Sequence, residues 1–182
     1  MDWHFEELDD WRPVSRVGGI TCLLLYAIFL LYAFRDTSGF LFLDFANLMI
    51  HEAGHPLFSW FGNTLMLLGG TLLELIVPVA CAVYFYFQRQ TYGYAFSVFW
   101  FFENFLYIGT YMQDARANAL PLVNSDIGDW TILFGQWGIL EYDLKIGQFV
   151  RGLGWVGMLA SIIWLGYRAF RSVQPELKPL EM

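Results

Sequence analysis

Charge is what this chain has least of. Only 15% of its 182 residues are Asp, Glu, Lys or Arg, where a soluble domain of this size carries about a quarter. Basic groups are scarcer still, 10 Lys and Arg against 17 Asp and Glu, for a formal net charge of -7. No basic stripe is available to neutralise phosphates, which excludes a nucleic-acid partner. Cysteine is nearly missing too. Cys22 and Cys81 both lie inside apolar runs and read as small buried apolar groups rather than a disulfide framework. Three histidines are too few for a di-iron lipid hydroxylase or desaturase, a class that needs several more. Linkers, low-complexity tracts and internal repeats are also lacking, so a single domain over 1–182 is expected.

What is present is apolar: 57% of the residues, with 20% aromatic. Runs at 17–34, 40–61, 63–87 and 92–112 are long enough to cross about 30 Å of hydrocarbon at about 1.5 Å per helical residue. A fifth, 146–167, takes part of its length from 146–150. The expectation is an all-α, polytopic membrane helix bundle of about five to six transmembrane segments, an integral, multi-pass protein with lipid as its solvent. The leader 1–16 holds Arg12 and Arg16 but also Asp2, Glu6, Glu7, Asp9 and Asp10. No small-x-small cleavage pattern follows it, so the first run reads as a retained helix rather than a signal peptide. Arg12 and Arg16 before the first span, with Arg168, Arg171 and Lys178 in the tail 168–182 after the last, put both ends on the cytoplasmic side. That demands an even number of crossings, for which 130–140 is the candidate partial sixth segment. The connection 114–145 is the most polar stretch, with Pro121, Asn124, Ser125, Asp126 and Gly128 marking turns. A cap over a cleft or an inter-helix loop at the headgroups both suit it.

Against that background the stretch "LMIHEAGHPLFSWF" stands out. His51 and His55 are two of the three histidines and stand four apart, with Glu52 beside the first. Residues four apart share a helix face, so both imidazoles can reach one metal ion while Glu52 holds the metal's water as a base. Ionisable groups in a membrane span are costly, by about 2.5 kcal/mol or more for an acid near the centre; a dication offsets that cost. Ala53 and Gly54 leave room nearby, and Pro56 removes the amide hydrogen that the Glu52 carbonyl would otherwise accept.

Two histidines and a water leave a tetrahedral zinc one ligand short. His4 is remote in the leader, so the third ligand is a carboxylate. Glu74, Glu103, Asp114, Asp126 and Asp129 are the candidates. Glu103, Tyr107, Thr110 and Asp114 fall on one stripe of a helix. About 16 Å of helix rise separates Glu103 from Asp114, so a straight helix does not bring both to one ion.

A polytopic chain with His51-Glu52-Ala53-Gly54-His55 in an early span and an acid ending a later one resembles the site-2 protease family of intramembrane zinc metallopeptidases. That resemblance implies zinc held by His51, His55 and Asp114, with Glu52 as the catalytic base. It implies membrane-protein or membrane-peptide substrates. Gln113-Asp114-Ala115-Arg116 stands where the family usually has Leu-Asp-Gly, which keeps Asp126, Asp129 and Glu103 as reserves for the third ligand. Two other functions remain open: an ion or metal transporter using the intramembrane acids, and an inactive protein with a structural zinc. The "GLGWVG" at 152–157 matches a dinucleotide fingerprint but opens an apolar run, where glycines serve close helix packing instead.

Overall fold

A computed structural model describes residues 11–123 and 126–171. Most of the leader, His4, Asn124, Ser125 and Lys178 therefore lie outside the described residues. The described chain is helical, with no strand: α1 Arg16–Arg35, α2 Asp44–Phe58, α3 Asn63–Phe87, α4 Thr91–Gln113, α5 Asp129–Trp137 and α6 Asp143–Arg171. Short 3-10 turns, Ser59–Phe61 and Leu140–Tyr142, precede α3 and α6.

The all-α class expected from the sequence is what the chain adopts. Fewer helices than apolar runs have the length and composition of a crossing among the described residues. Among the described residues, three helical stretches are long and apolar enough to cross a membrane: Arg16–Arg35, Asn63–Phe87 and Leu140–Arg171. The run 40–61 yields only the 15 residues of α2, about 22 Å of helix against about 30 Å of hydrocarbon. Asp44 starts the helix late, because its carboxylate accepts the Leu41 amide hydrogen at 2.6 Å. At the other end Pro56 lies inside α2, and the Ser59 hydroxyl caps its carbonyl at 2.8 Å. The 23 residues of α4 are long enough, but Ser97, Glu103, Asn104 and Thr110 interrupt its apolarity. The candidate segment 130–140 yields α5, nine residues long and about 13 Å.

α4 is the hub. It packs on α6 along one side and on α3 along another; α2 lies chiefly on α3, and α1 on α6. Small residues allow these approaches. Gly109 of α4 and Gly147 of α6 face each other's carbonyls, and Gly154 and Gly157 lie against Phe102. Two of the "GLGWVG" glycines are thus packing surfaces, as read from the sequence. Where α2 crosses α3, Gly54 and Gly69 abut backbone to backbone. One core gathers Phe99, Leu106 and Met158 with Ala33 and Leu41; another gathers Ile108, Tyr111, Trp130, Leu133 and Phe134. The perimeter is apolar as well. Val17, Phe34, Met49 and Trp60 are 77, 78, 75 and 90% exposed, a surface that needs an apolar surrounding.

Candidate metal centre

His51 and His55 project from one face of α2, ring centroids 4.9 Å apart. The His55 ring is hydrogen-bonded through its Nδ1, whereas the Nδ1 of His51 faces an acid. For His55 the partner is the Met66 carbonyl at 2.9 Å. For His51 it is Glu74 Oε2 at 3.3 Å, in ion-pair range without a formed hydrogen bond. Behind His51 the wall is Gly70: a Cβ there would sit 2.5 Å from the ring's Nε2. α3 thus carries three devices that aim the histidines: an acid, a carbonyl and a bare backbone.

A carbonyl accepts only, so His55 must carry its hydrogen on Nδ1, and the Glu74 carboxylate favours the same tautomer of His51. His55 Nε2 then presents a lone pair, and His51 Nε2 does so in the tautomer that carries its hydrogen on Nδ1. They face one oxygen, Asp129 Oδ2, at 3.2 Å from His51 and 3.5 Å from His55. In that tautomer three acceptors point at one another and a cation between them would relieve the repulsion; with its hydrogen on Nε2, His51 donates to Asp129 instead. Ligand atoms about 2.0–2.1 Å from a tetrahedral zinc stand about 3.3–3.4 Å apart, the edge of that tetrahedron. The observed spacings match it. The spacings suit a metal ion as well as a hydrogen bond from His51 Nε2, and His51, Glu52 and His55 form a group that could hold an ion.

Glu52 is the other neighbour. One donor atom from each of His51, Glu52 and His55 lies within 4.8 Å of the others. Asp129 Oδ2 lies 3.2 and 3.5 Å from the two Nε2 atoms, and Glu52 shares the group of side chains that could hold a metal ion with His51 and His55. Both line one cavity of about 310 Å³, with Leu48, Tyr107, Tyr111 and Leu122 among its walls.

Asp129 owes its position to the connection before it. It opens α5 after Gly128, and its amide hydrogen goes to the Tyr111 hydroxyl at 2.8 Å. That hydroxyl in turn lies 3.3 Å from Asp129 Oδ2, as donor. Gly128 donates its amide hydrogen to Asn118 Oδ1 at 2.8 Å, and Asn118 Nδ2 reaches the Asp126 carbonyl, also at 2.8 Å. Thr131 anchors the helix to the Ala115 carbonyl at 2.6 Å.

The acid chosen from the resemblance is therefore not the one beside the histidines. The Asp114 carboxylate accepts the amide hydrogens of Ala119 and Leu120, all three contacts at 3.0 Å, and so builds the turn that leads toward Asp129. Of the reserves, Asp129 is brought to the site. Asp126 offers its carbonyl to Asn118, and Glu103 lies in a different layer, with Asn47. Glu74 serves from behind His51. Sequence reasoning placed Tyr111 and Met66 nowhere; a tyrosine one turn past Tyr107 was the available signal for the first, while a backbone carbonyl leaves none. No known protein family matches the chain, and neither a curated protein nor a solved structure proves similar to it, so the metal centre rests on its own geometry.

Proposed function

We propose that the protein is a zinc-dependent intramembrane metallopeptidase, embedded by several crossings and acting on peptide bonds in or near the bilayer. The observation that carries the reading is the convergence of both Nε2 atoms on Asp129 Oδ2 at 3.2 and 3.5 Å, with the His55 Nδ1 bonded to the Met66 carbonyl and the His51 Nδ1 facing Glu74. His51, His55 and Asp129 would hold the ion. When bound, zinc polarises a carbonyl and lowers the pKa of water toward neutrality.

The chain's own residues supply the rest. Glu52 takes the proton of the attacking water and delivers it to the leaving amine. Glu74 and the Met66 carbonyl fix the imidazoles, and Tyr111 fixes Asp129. The Tyr107 hydroxyl, on the cavity wall, makes no hydrogen bond among the described residues and is free to donate to the substrate's carbonyl oxygen. The exposed apolar faces of α1, α3 and α6 supports a lipid surrounding. A substrate helix must unwind to enter, because a helix keeps its amides hydrogen-bonded.

Ion transport is the second reading, favoured by the fully buried row Asp44, Glu74 and Glu103. Chelator-free purification, elemental analysis and cleavage of a membrane-embedded reporter peptide separate the two. The peptidase carries one zinc per chain and cleaves; the Glu52→Gln protein keeps its zinc and loses about 10²- to 10⁴-fold in rate. Metal-free protein, or equal cleavage by both forms, refutes the reading.

A further inference from the structure

Beneath the metal centre, α2 and α4 enclose a second polar layer that peptide hydrolysis does not use. Asn47 and Glu103 are 0% exposed, Asp44 and Asn104 1%. The two hydrogens of the Asn47 amide are divided between two acids, Asp44 Oδ1 at 3.1 Å and Glu103 Oε2 at 3.0 Å. The Asn47 oxygen accepts the Trp100 indole hydrogen at 2.7 Å. Asn104 spends both of its hydrogens on the carbonyls of Glu74 and Trp100, at 3.2 and 3.1 Å. Every donor is then used. Glu103 Oε1 and Asn104 Oδ1 are buried with no donor at all.

The charged groups that bear on Glu103 are Asp44 from α2 and Glu74 from α3, both acids. From α1 and α6 the neighbouring core is apolar: Ala33, Phe29 and Met158 pack with Phe99 and Leu106. Two ionised carboxylates sharing one amide in this setting would repel with nothing to screen them. The two acids are not equally served. Asp44 accepts two hydrogens, from Leu41 and Asn47, which favours its ionised form. Glu103 accepts one and leaves an oxygen bare.

We propose that this layer is a proton-binding site, in which Glu103 holds one proton at neutral pH as a neutral carboxylic acid while Asp44 keeps its charge. The ligand is a proton rather than a metal cation. What the layer lacks is a hydrogen, and a neutral acid supplies it without gathering further oxygens. Asn47 is the polar bridge from the histidine-bearing α2 to α4, so the proton on Glu103 keeps that bridge free of repulsion. This inference is independent of peptidase activity.

The test is infrared spectroscopy of the purified full-length protein in vesicles at neutral pH. The expected result is a carbonyl stretch of a protonated carboxylic acid that is absent from Glu103→Gln and retained in Asp44→Asn and Glu74→Gln. Carboxyl-13C labelling of glutamate shifts the same band in the wild type, a result that needs no variant to fold. Unfolding gives a second reading. Above the ordinary glutamate range the folded state holds a proton that the unfolded chain has lost, so wild-type stability falls as pH rises until Glu103 itself titrates. Glu103→Gln removes that part of the fall. A spectrum without a protonated-acid band, or a band that survives in Glu103→Gln, overturns the proposal. So does a band abolished when sodium replaces choline in the buffer, which would make the layer a cation site.

Discussion

Substituting Gly70 tests the metal centre without touching a polar group. An alanine Cβ would lie 2.5 Å from His51 Nε2 and 2.6 Å from Cδ2 and Cε1, where carbon contacts settle at about 3.5 Å. The ring must then retreat by about 1 Å. It has little room: Glu74 is 3.3 Å from Nδ1 and Asp129 3.2 Å from Nε2. The helix cannot follow as a unit, because Gly54 already abuts the Gly69 backbone. Disturbed ligand orientation costs about 10- to 100-fold in metal affinity, and misplacing a reacting group by about 1 Å costs about 10²-fold in rate. Overpacking adds about 1–3 kcal/mol of destabilisation, partly offset by alanine's better helix propensity, up to about 1 kcal/mol. The assay is competition for zinc against a chromophoric chelator, with thermal unfolding alongside. Gly152→Ala is the control, since nothing lies within 4 Å of its added Cβ; it should bind zinc as the wild type does. Wild-type affinity in Gly70→Ala, with stability equal to the control's, would refute the placement of His51 against α3.

The remaining expectations concern who holds what. Asp129→Ala should abolish stoichiometric zinc, whereas Asp114→Ala should weaken it through a disordered turn and be partly rescued by Asp114→Asn; full zinc in Asp129→Ala would return the third ligand to another acid. Tyr111→Phe removes both hydrogen bonds to Asp129 and should cost about 10- to 100-fold in zinc affinity by chelator competition; no change would mean that α5 is placed without it. Tyr107→Phe should keep its zinc and lower kcat more than it raises KM in the reporter assay. Equal losses in both would make Tyr107 a binding wall instead.

The long elements were legible because apolar runs bounded by polar or turn residues leave few other solutions. The run 63–87 is α3 to the residue, and 92–112 is α4 less one residue at each end. The run 40–61 misled because apolarity does not report helix length: Asp44 folds back onto Leu41, and the last residues tighten into Ser59–Phe61. The local half of the site, His51, Glu52 and His55, was equally plain, since helical spacing alone puts the three together. The acid that faces the two histidines, Asp129, was not. Asp114 and Asp129 both sit at helix ends beside turn residues, and which of them faces the histidines depends on where Asn118 and Tyr111 direct the intervening chain. No periodicity encodes that.

The two histidines, their orienting groups and the wall behind them all belong to one hairpin, α2 and α3, while Asp129 arrives on α5 from the far side of the cavity. An ion there would join two pieces of chain that already share a core, in which Leu67, Leu68 and Leu75 of α3 pack against Trp130, Leu133 and Phe134. The hairpin alone is a two-point half-site, and the grip becomes tight only once α5 has docked. Pro121, Leu122 and Val123 line the same cavity as Asp129, so a molecule seated against them would bear on that join, and the off-rate of a bound ion would record it.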